Sequence, residues 1–201
     1  MKRLSAVAAV LFSCSLAALA WAAGNEFRVK PGVFDPDQTG IVTAKWIKNL
    51  GLPNSDGSER FGLLLSKNGP TATNAAAGAT IAGVKGIVLT ELGFDINTGT
   101  HCGAGAPRFN VSASDGFHFL GGCSNGTKTA GTPDPGWTRV RIDPLNPGQA
   151  FPVIAAGSTV NSIEIVFDEG TDAGPDLSGI AVLDNIDING TLIGGPGDVS
   201  E

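Results

Sequence analysis

Hydrophobic and polar residues alternate along most of the chain, and glycine, proline, asparagine and aspartate interrupt the alternation at short intervals. Beyond residue 22, no segment keeps the spacing of three and four residues that an amphipathic helix needs. Alternation with a period of two is typical of strands that bury one face. The pattern predicts an all-β fold, a two-sheet antiparallel β-sandwich of jelly-roll type with about eight strands.

Individual strands follow from the same pattern. Those predicted are 41–47, 61–65, 84–96, 108–112, 117–120 and 137–143, with a closing pair between 160 and 190. The small residues of 66–79 predict a surface loop. Asp115-Gly116 lies between two alternating runs and predicts a hairpin turn.

The closing strand places a carboxylate in a hydrophobic row. The residues that share one parity there are Ile180, Val182, Asp184, Ile186 and Ile188. If the strand is regular, Asp184 points into the core, where an unpaired carboxylate is costly. It must then meet a cation or a set of backbone N–H groups, or a bulge must turn it outward.

Other carboxylates are candidates to join Asp184 around a calcium ion. Asp168 and Asp172 lie in the acidic loop before the closing strand, and Asp35 and Asp37 lie near the start of the domain. Calcium prefers such oxygen ligands and is abundant outside cells. The sequence therefore predicts a structural calcium site, and the alternative is a solvated acidic loop with an aspartate that caps backbone donors.

The segment Ala181-Val182-Leu183-Asp184-Asn185-Ile186-Asp187-Ile188 resembles the last strand of galactose-binding-like jelly rolls. That group includes many carbohydrate-binding modules and β-sandwich domains of exported bacterial proteins. The resemblance implies a calcium ligand at Asp184, and it extends to Asp35 and Asp37. It also implies carbohydrate as the ligand class.

Trp137, Arg139 and Arg141 share one side of a predicted strand, opposite Val140 and Ile142. An exposed tryptophan offers a flat apolar platform for a sugar ring, and arginine offers planar donors for hydroxyl or carboxylate groups. These three residues are the candidate ligand face. In the alternative, the tryptophan closes one end of the core and the arginines pair with acids on a neighbouring strand.

The first residues have the pattern of a secretory signal peptide. Met1-Lys2-Arg3 is followed by an apolar run that ends in small residues at Ala22. We expect 1–22 to be cleaved, 23–40 to be an irregular lead-in with one short strand, 41–193 to be a single β-sandwich domain, and 194–201 to be a polar tail. The expected location is secreted or periplasmic, with no membrane insertion after cleavage.

Charge and cysteine content agree with that location. The net charge is −6, and loss of Lys2 and Arg3 makes it more negative, which argues against nucleic acid as a partner. Cys102 and Cys123 remain after cleavage, and two cysteines in an exported chain favour a disulfide. The alternatives are metal ligation together with His101 and a redox-active pair. The bridge would join the two ends of the hairpin at Asp115-Gly116.

Signals of catalysis are weak. His118 alternates with Phe117 and Phe119, and we expect it to face the solvent, while His101 sits beside Cys102. No motif of a serine hydrolase, a zinc protease or a phosphate-binding loop is present. Four acids occupy strand positions suited to a glycoside hydrolase: Glu91, Asp95, Glu164 and Asp168.

The sequence therefore favours an exported, non-catalytic β-sandwich that binds carbohydrate or another extracellular surface, with calcium as a structural cofactor. Two alternatives stay open. One is a structural or cell-envelope protein without a small ligand, which the abundant glycine and the sparse charge also suit. The other is a glycan-active hydrolase.

Overall fold

The protein is all-β in a computed structural model that describes residues 26–53, 60–69, 74–130, 134–168 and 178–197. These residues form thirteen strands and a short 3₁₀ helix at Cys123–Asn125. The strands are β1 (Arg28–Phe34), β2 (Val42–Lys48), β3 (Phe61–Asn68), β4 (Ala76–Ala82), β5 (Leu92–Asn97), β6 (Arg108–Ala113), β7 (Gly116–Gly121), β8 (Thr127–Ala130), β9 (Trp137–Ile142), β10 (Ala150–Phe151), β11 (Val160–Phe167), β12 (Ser178–Ile188) and β13 (Thr191–Ile193).

Two antiparallel sheets pack face to face, which confirms the predicted sandwich. The six-stranded sheet has the order β1-β4-β11-β6-β7-β10. The seven-stranded sheet has the order β2-β3-β12-β5-β9-β8, with β13 paired to β12. The prediction of about eight strands was too low, because β4, β8, β10 and β13 form outside the runs whose alternation predicted strands.

The core lies between the sheets and draws on both of them. Its largest fully buried side chains include Phe94, Leu63 and Leu183 from one sheet and Phe109, Ile163 and Phe167 from the other. Phe27 and Val29 also belong to it. The strand predicted within the lead-in is β1, which pairs with β4 and so forms part of the sandwich.

Two sequence predictions fail in the middle of the chain. The region 84–96 is not one long strand, because only Leu92–Asn97 is extended and paired there, apart from a single bridge at Val88. The region 66–79 is not a loop throughout, because β3 continues to Asn68 and β4 begins at Ala76. Alanine and glycine are poor strand formers, but β4 lies between β1 and β11, and pairing on both sides outweighs local preference.

A bulge in β12 determines where its acidic residues point. The register with β5 shifts between Asp184 and Asp187, so Asn185 and Ile186 together lie opposite one residue of β5. Asn185 has φ +45°, in the left-handed region that asparagine tolerates better than most residues. Ile186 and Ile188 therefore enter the core, whereas Asp184 and Asp187 lie on the outer face of the seven-stranded sheet. Of the three alternatives for Asp184, two are observed together: it lies on the outer face beside the bulge, and it meets the backbone N–H groups of Leu52 and Asn185.

The predicted hairpin and its bridge are both present. β6 and β7 pair from Arg108↔Gly121 to Ala113↔Gly116, and the Cys102–Cys123 disulfide joins the segments that flank them. A disulfide is compatible with an oxidising compartment. The predicted signal peptide, 1–22, lies outside the described residues. Within the described ranges, we find no helix of the length and apolarity needed to cross a membrane.

Candidate functional site

Trp137 does not form an exposed platform. Its side chain is only 4% exposed, and it packs with Leu52 and Val182 in a small second core on the outer face of the seven-stranded sheet. The segment that follows β2 covers this second core. The Trp137 ring is therefore covered and offers no platform for a ligand. This agrees with the alternative in which the ring is buried in a core.

The two arginines of that face are bound to acids. Arg139 donates two hydrogen bonds to Asp95, at 2.9 and 3.0 Å, and Asp95 is completely buried. Arg141 Nε lies 2.8 Å from Asp187 Oδ2 and 3.5 Å from Glu91 Oε1. We call Glu91, Asp95, Asp187, Arg139 and Arg141 the arginine–carboxylate cluster. In it, the guanidinium groups supply the positive charge that the buried carboxylates need.

Charge within this cluster shifts two pKa values. Burial raises the pKa of Glu91, and the charge of Asp187 and a hydrogen bond to it raise this pKa further, against the opposing effects of Arg141 and Arg139. The hydrogen bond to Asp95 raises the pKa of Arg139, which keeps that guanidinium charged. The Glu91 carboxyl group is therefore protonated more readily than an ordinary glutamate.

Replacing Glu91 with glutamine is expected to stabilise the protein at neutral pH and to lose this effect in acid. Folding raises the pKa of Glu91. The stability that this side chain contributes is therefore fully present below pH 4.5, its ordinary pKa, and is lost as the pH rises through its pKa in the folded protein. Glutamine has no such titration. The melting temperatures of the variant and the parent protein should be equal in acid and should differ by at most about 3 °C at neutral pH. A difference in melting temperature that is independent of pH would contradict the raised pKa of Glu91.

Asp184 is held by backbone donors on the same outer face. Its Oδ2 accepts a hydrogen bond from Leu52 N, and its Oδ1 accepts one from Asn185 N, both at 2.6 Å. Gly51 makes this approach possible, because a Cβ there would collide with the Phe61 backbone and the Asp184 carboxylate. Asp184 thus fixes the covering segment to β12.

The residues predicted to bind calcium do not converge. Asp35 caps the turn after β1 through Thr39 and Gly40, and these backbone N–H groups lower its pKa, with Gly40 contributing most. Asp37 lies in that same turn, Asp168 pairs with Arg108, and Asp184 lies on the other sheet. Asp172 falls outside the described residues. No group of three or more His, Cys, Asp or Glu side chains is arranged as metal ligands in the described ranges.

The four acids considered for glycoside hydrolysis are divided between the two outer faces. Glu91 and Asp95 belong to the arginine–carboxylate cluster on the seven-stranded sheet. Glu164 and Asp168 lie on or just after β11 in the six-stranded sheet. Asp95 is neutralised by Arg139, and Asp168 is neutralised by Arg108.

The outer face of the six-stranded sheet carries an unbroken line of accessible side chains. One residue from each strand, matched by the pairing register, forms what we call the cross-strand row: Lys30, Thr80, Glu164, Asn110, Phe119 and Phe151. Every member is exposed or half-exposed. Phe119 and Phe151 are each 45% exposed, and the adjacent Phe117 is 51% exposed. The row thus passes from hydrogen-bonding groups to aromatic rings.

A groove runs beside the cross-strand row. Its floor is the next set of register partners, which we call the glycine row: Gly32, Gly78, Val166, Arg108 and Gly121. Gly32 and Gly78 have no side chain, so the sheet surface is depressed at the β1 end, whereas a Cβ at Gly121 would meet the core residue Ile142. The hollow at the β1 end has a volume of about 500 Å³ and the one at the β7 end about 530 Å³. Phe34, 60% exposed, stands on the far side of the first hollow.

Arg108 is held rigidly where the two hollows meet. It donates two hydrogen bonds of 2.7 Å to Asp168, one of 2.9 Å to Gly105 O, and one of 3.1 Å from Nε to Asn110. Its guanidinium carbon also lies 5.5 Å from the ring centre of Phe119. These contacts fix the position of Asn110 and of one aromatic ring, both members of the cross-strand row.

The sequence prediction for β7 was inverted, and this is why the aromatic part of the face was missed. His118 is buried at 2% exposure, with Nδ1 2.9 Å from Pro152 O and Nε2 3.2 Å from Asp115. Because both of its ring nitrogens have partners, the polar residue is accommodated inside, and Phe117 and Phe119 are left outside. Leu120, which is fully buried, lies two residues after His118 and therefore on the same side of the strand. A leucine on that side could have indicated that His118 faces the core.

Comparisons of the chain with protein-family models, with curated proteins and with solved structures found no match. The resemblance of the closing strand to galactose-binding-like jelly rolls is therefore supported only as far as an all-β, sandwich-like fold.

Proposed function

We propose that this protein is a non-catalytic carbohydrate-binding β-sandwich whose ligand face is the outer face of the six-stranded sheet. The observation that carries the proposal is the cross-strand row, in which exposed phenylalanine rings continue a line of hydrogen-bonding side chains beside a groove.

Carbohydrate is the ligand class that suits this mixture of groups. A pyranose ring has apolar C–H faces that stack on aromatic rings and an edge of hydroxyl groups that form hydrogen bonds. Phe119 and Phe151 supply the first kind of contact. Thr80, Glu164 and Asn110 supply both donors and acceptors for the second.

The opposite outer face is less suited to a ligand. There Trp137 is covered, and the charged groups of the arginine–carboxylate cluster satisfy one another. The proposal therefore keeps the carbohydrate class expected from the sequence and moves the site from the Trp137 strand to the other sheet.

Replacing Phe119 with alanine is expected to weaken glycan binding about tenfold, which corresponds to about 1.4 kcal/mol. The ring is exposed, so its loss should leave the melting temperature nearly unchanged. The measurement is retention of the purified protein on insoluble and soluble polysaccharides, including cell-wall material, followed by titration calorimetry on the glycan that is retained.

Ile180→Ala is the matched control for this experiment. Ile180 is an equally exposed hydrophobic residue, at 48%, but it lies on the seven-stranded sheet, so its removal should not change binding. Equal loss of binding in both variants would contradict the assigned face.

A structural or cell-envelope protein without a small ligand is the second candidate. Its support is the same exposed group of Phe117, Phe119 and Phe151, which a second protein surface would also cover. Absence of binding to every glycan, together with self-association that Phe119→Ala abolishes, would favour this candidate. Export and the structural calcium ion expected from the sequence both stay predictions.

A further inference from the structure

We propose that the groove binds the interior of a neutral, unbranched polysaccharide, in an extended form that crosses all six strands. This inference rests on the proposed carbohydrate function and adds the substrate class: chain interior instead of chain end, and uncharged instead of charged.

The groove is continuous from one edge of the sheet to the other. Its two hollows share Asn74, Arg108 and Asp168, so they are two parts of one surface. The cross-strand row follows that surface from Lys30 on the edge strand β1 to Phe151 on the edge strand β10. Six strands at the usual spacing give the row a length of about 24 Å, room for several sugar rings in line.

The position of the row argues for the interior of a chain. It ends at an edge strand on each side, β1 and β10. A site for a chain end needs a closed end that recognises the terminal hydroxyl groups. A linear polymer can instead enter at β1 and leave at β10.

The charges of the groove argue for an uncharged polymer. Arg108 and Asp168 neutralise each other at 2.7 Å, and Lys67 Nζ donates a hydrogen bond of 3.4 Å to Asp168 O. In the cross-strand row, Lys30 and Glu164 contribute one charge of each sign. The described part of the groove therefore lacks the run of like charge that an anionic or cationic polymer requires.

Gly32 offers a way to close one end of the groove. A Cβ at this position would have no neighbour within 4 Å, and its φ is ordinary, so a larger side chain fits without strain and fills the floor at the β1 end. Within the cross-strand row, the rings that would hold a short ligand, Phe119 and Phe151, lie at the other end. Gly32→Leu should therefore obstruct long ligands but not short ones. Gly32→Ala, which adds a single methyl group, serves as its matched control.

The test is a set of titrations with cello-, xylo- and manno-oligosaccharides from the disaccharide to the hexasaccharide, with oligogalacturonides and chitosan oligomers as charged counterparts. For the glycan that binds, affinity should rise with chain length until the row is covered, and a hexasaccharide blocked at both ends should bind as well as the free one. Gly32→Leu should weaken the hexasaccharide about tenfold and leave the disaccharide unchanged. Gly32→Ala should behave like the parent protein.

Each remaining outcome overturns a stated part of the inference. Affinity that does not rise with length, or Gly32→Leu that binds the hexasaccharide normally, contradicts the extended groove. Loss of binding on blocking the ends shows recognition of chain ends. Preference for a charged oligomer, weakened by salt, contradicts the neutral class. If no glycan binds at all, the proposed function itself fails, and the inference fails with it.

Discussion

Replacing Arg139 with methionine is expected to lower the free energy of unfolding by about 3–5 kcal/mol. Methionine preserves most of the length of the side chain but removes the charge. Asp95, which is completely buried and receives two hydrogen bonds from Arg139, would then keep a carboxylate without its main counter-ion. Asn185 Nδ2, at 2.8 Å, is a neutral donor and does not replace that charge.

Chemical denaturation of the variant and the parent protein measures this effect, and Arg28→Met is the matched control. Arg28 forms an ion pair of similar length with Glu26, but both side chains are more than half exposed, so its removal should cost less than about 1 kcal/mol. If Arg139→Met were as mild as Arg28→Met, Asp95 would not depend on Arg139, and Arg141, 4.0 Å away, would be the counter-ion instead.

A second substitution isolates the cause. Asp95→Asn in the Arg139→Met background removes the uncompensated charge and should restore part of the lost stability. The double-mutant cycle should then give a coupling of about 1–3 kcal/mol between the two positions. Additive effects would show that Arg139 stabilises β9 by packing alone.

Removal of the disulfide is expected to lower the free energy of unfolding by about 3 kcal/mol, because the bridge closes a loop with a sequence separation of 21 residues. The variant is Cys102→Ala combined with Cys123→Ala. Cys123 belongs to the main core, so loss of its sulfur leaves a small cavity as well.

The parent protein after reduction is the control that separates these two effects. It keeps both sulfur atoms in place but lacks the bond, so it should lose nearly the same stability as the double variant. Thiol titration of the unreduced, denatured protein without 1–22, the predicted signal peptide that carries Cys14, should find no free thiol. Two reactive thiols would refute the bridge, and a reduced protein as stable as the oxidised one would refute its contribution to stability.

The bridge also connects to the groove. Gly105 lies between Cys102 and Arg108, and its carbonyl accepts a hydrogen bond from the Arg108 guanidinium. The bridged segment therefore helps to hold the arginine that orients Asn110 and Phe119 at the centre of the proposed ligand face.

Local patterns identified the features that depend on neighbouring residues. The alternation of apolar and polar positions established the all-β class. Asp115-Gly116 located the β6–β7 hairpin, and the two remaining cysteines identified the bridge across its ends. In β9, the opposite orientations of Val140 and Trp137 were also correct, because that strand is regular along its length.

Predictions failed where residues distant in the sequence decide which side chains of a strand face the core. Alternation separates two sets of side chains, but it does not say which set faces the core. In β7 that choice depends on Pro152 and Asp115, which satisfy His118 inside the protein and leave Phe117 and Phe119 exposed. In β12 it depends on the bulge at Asn185, which reverses the parity halfway along the strand.

The sequence by itself determined the class of fold, the hairpin, the disulfide and the expectation of a carbohydrate-type ligand. The tertiary structure alone brought together the residues of the proposed ligand face. The cross-strand row takes one residue from each of six strands, and its order in space, 30, 80, 164, 110, 119 and 151, differs from its order in the chain. Strand pairing creates that row, and pairing between distant strands depends on packing and register that no local pattern records.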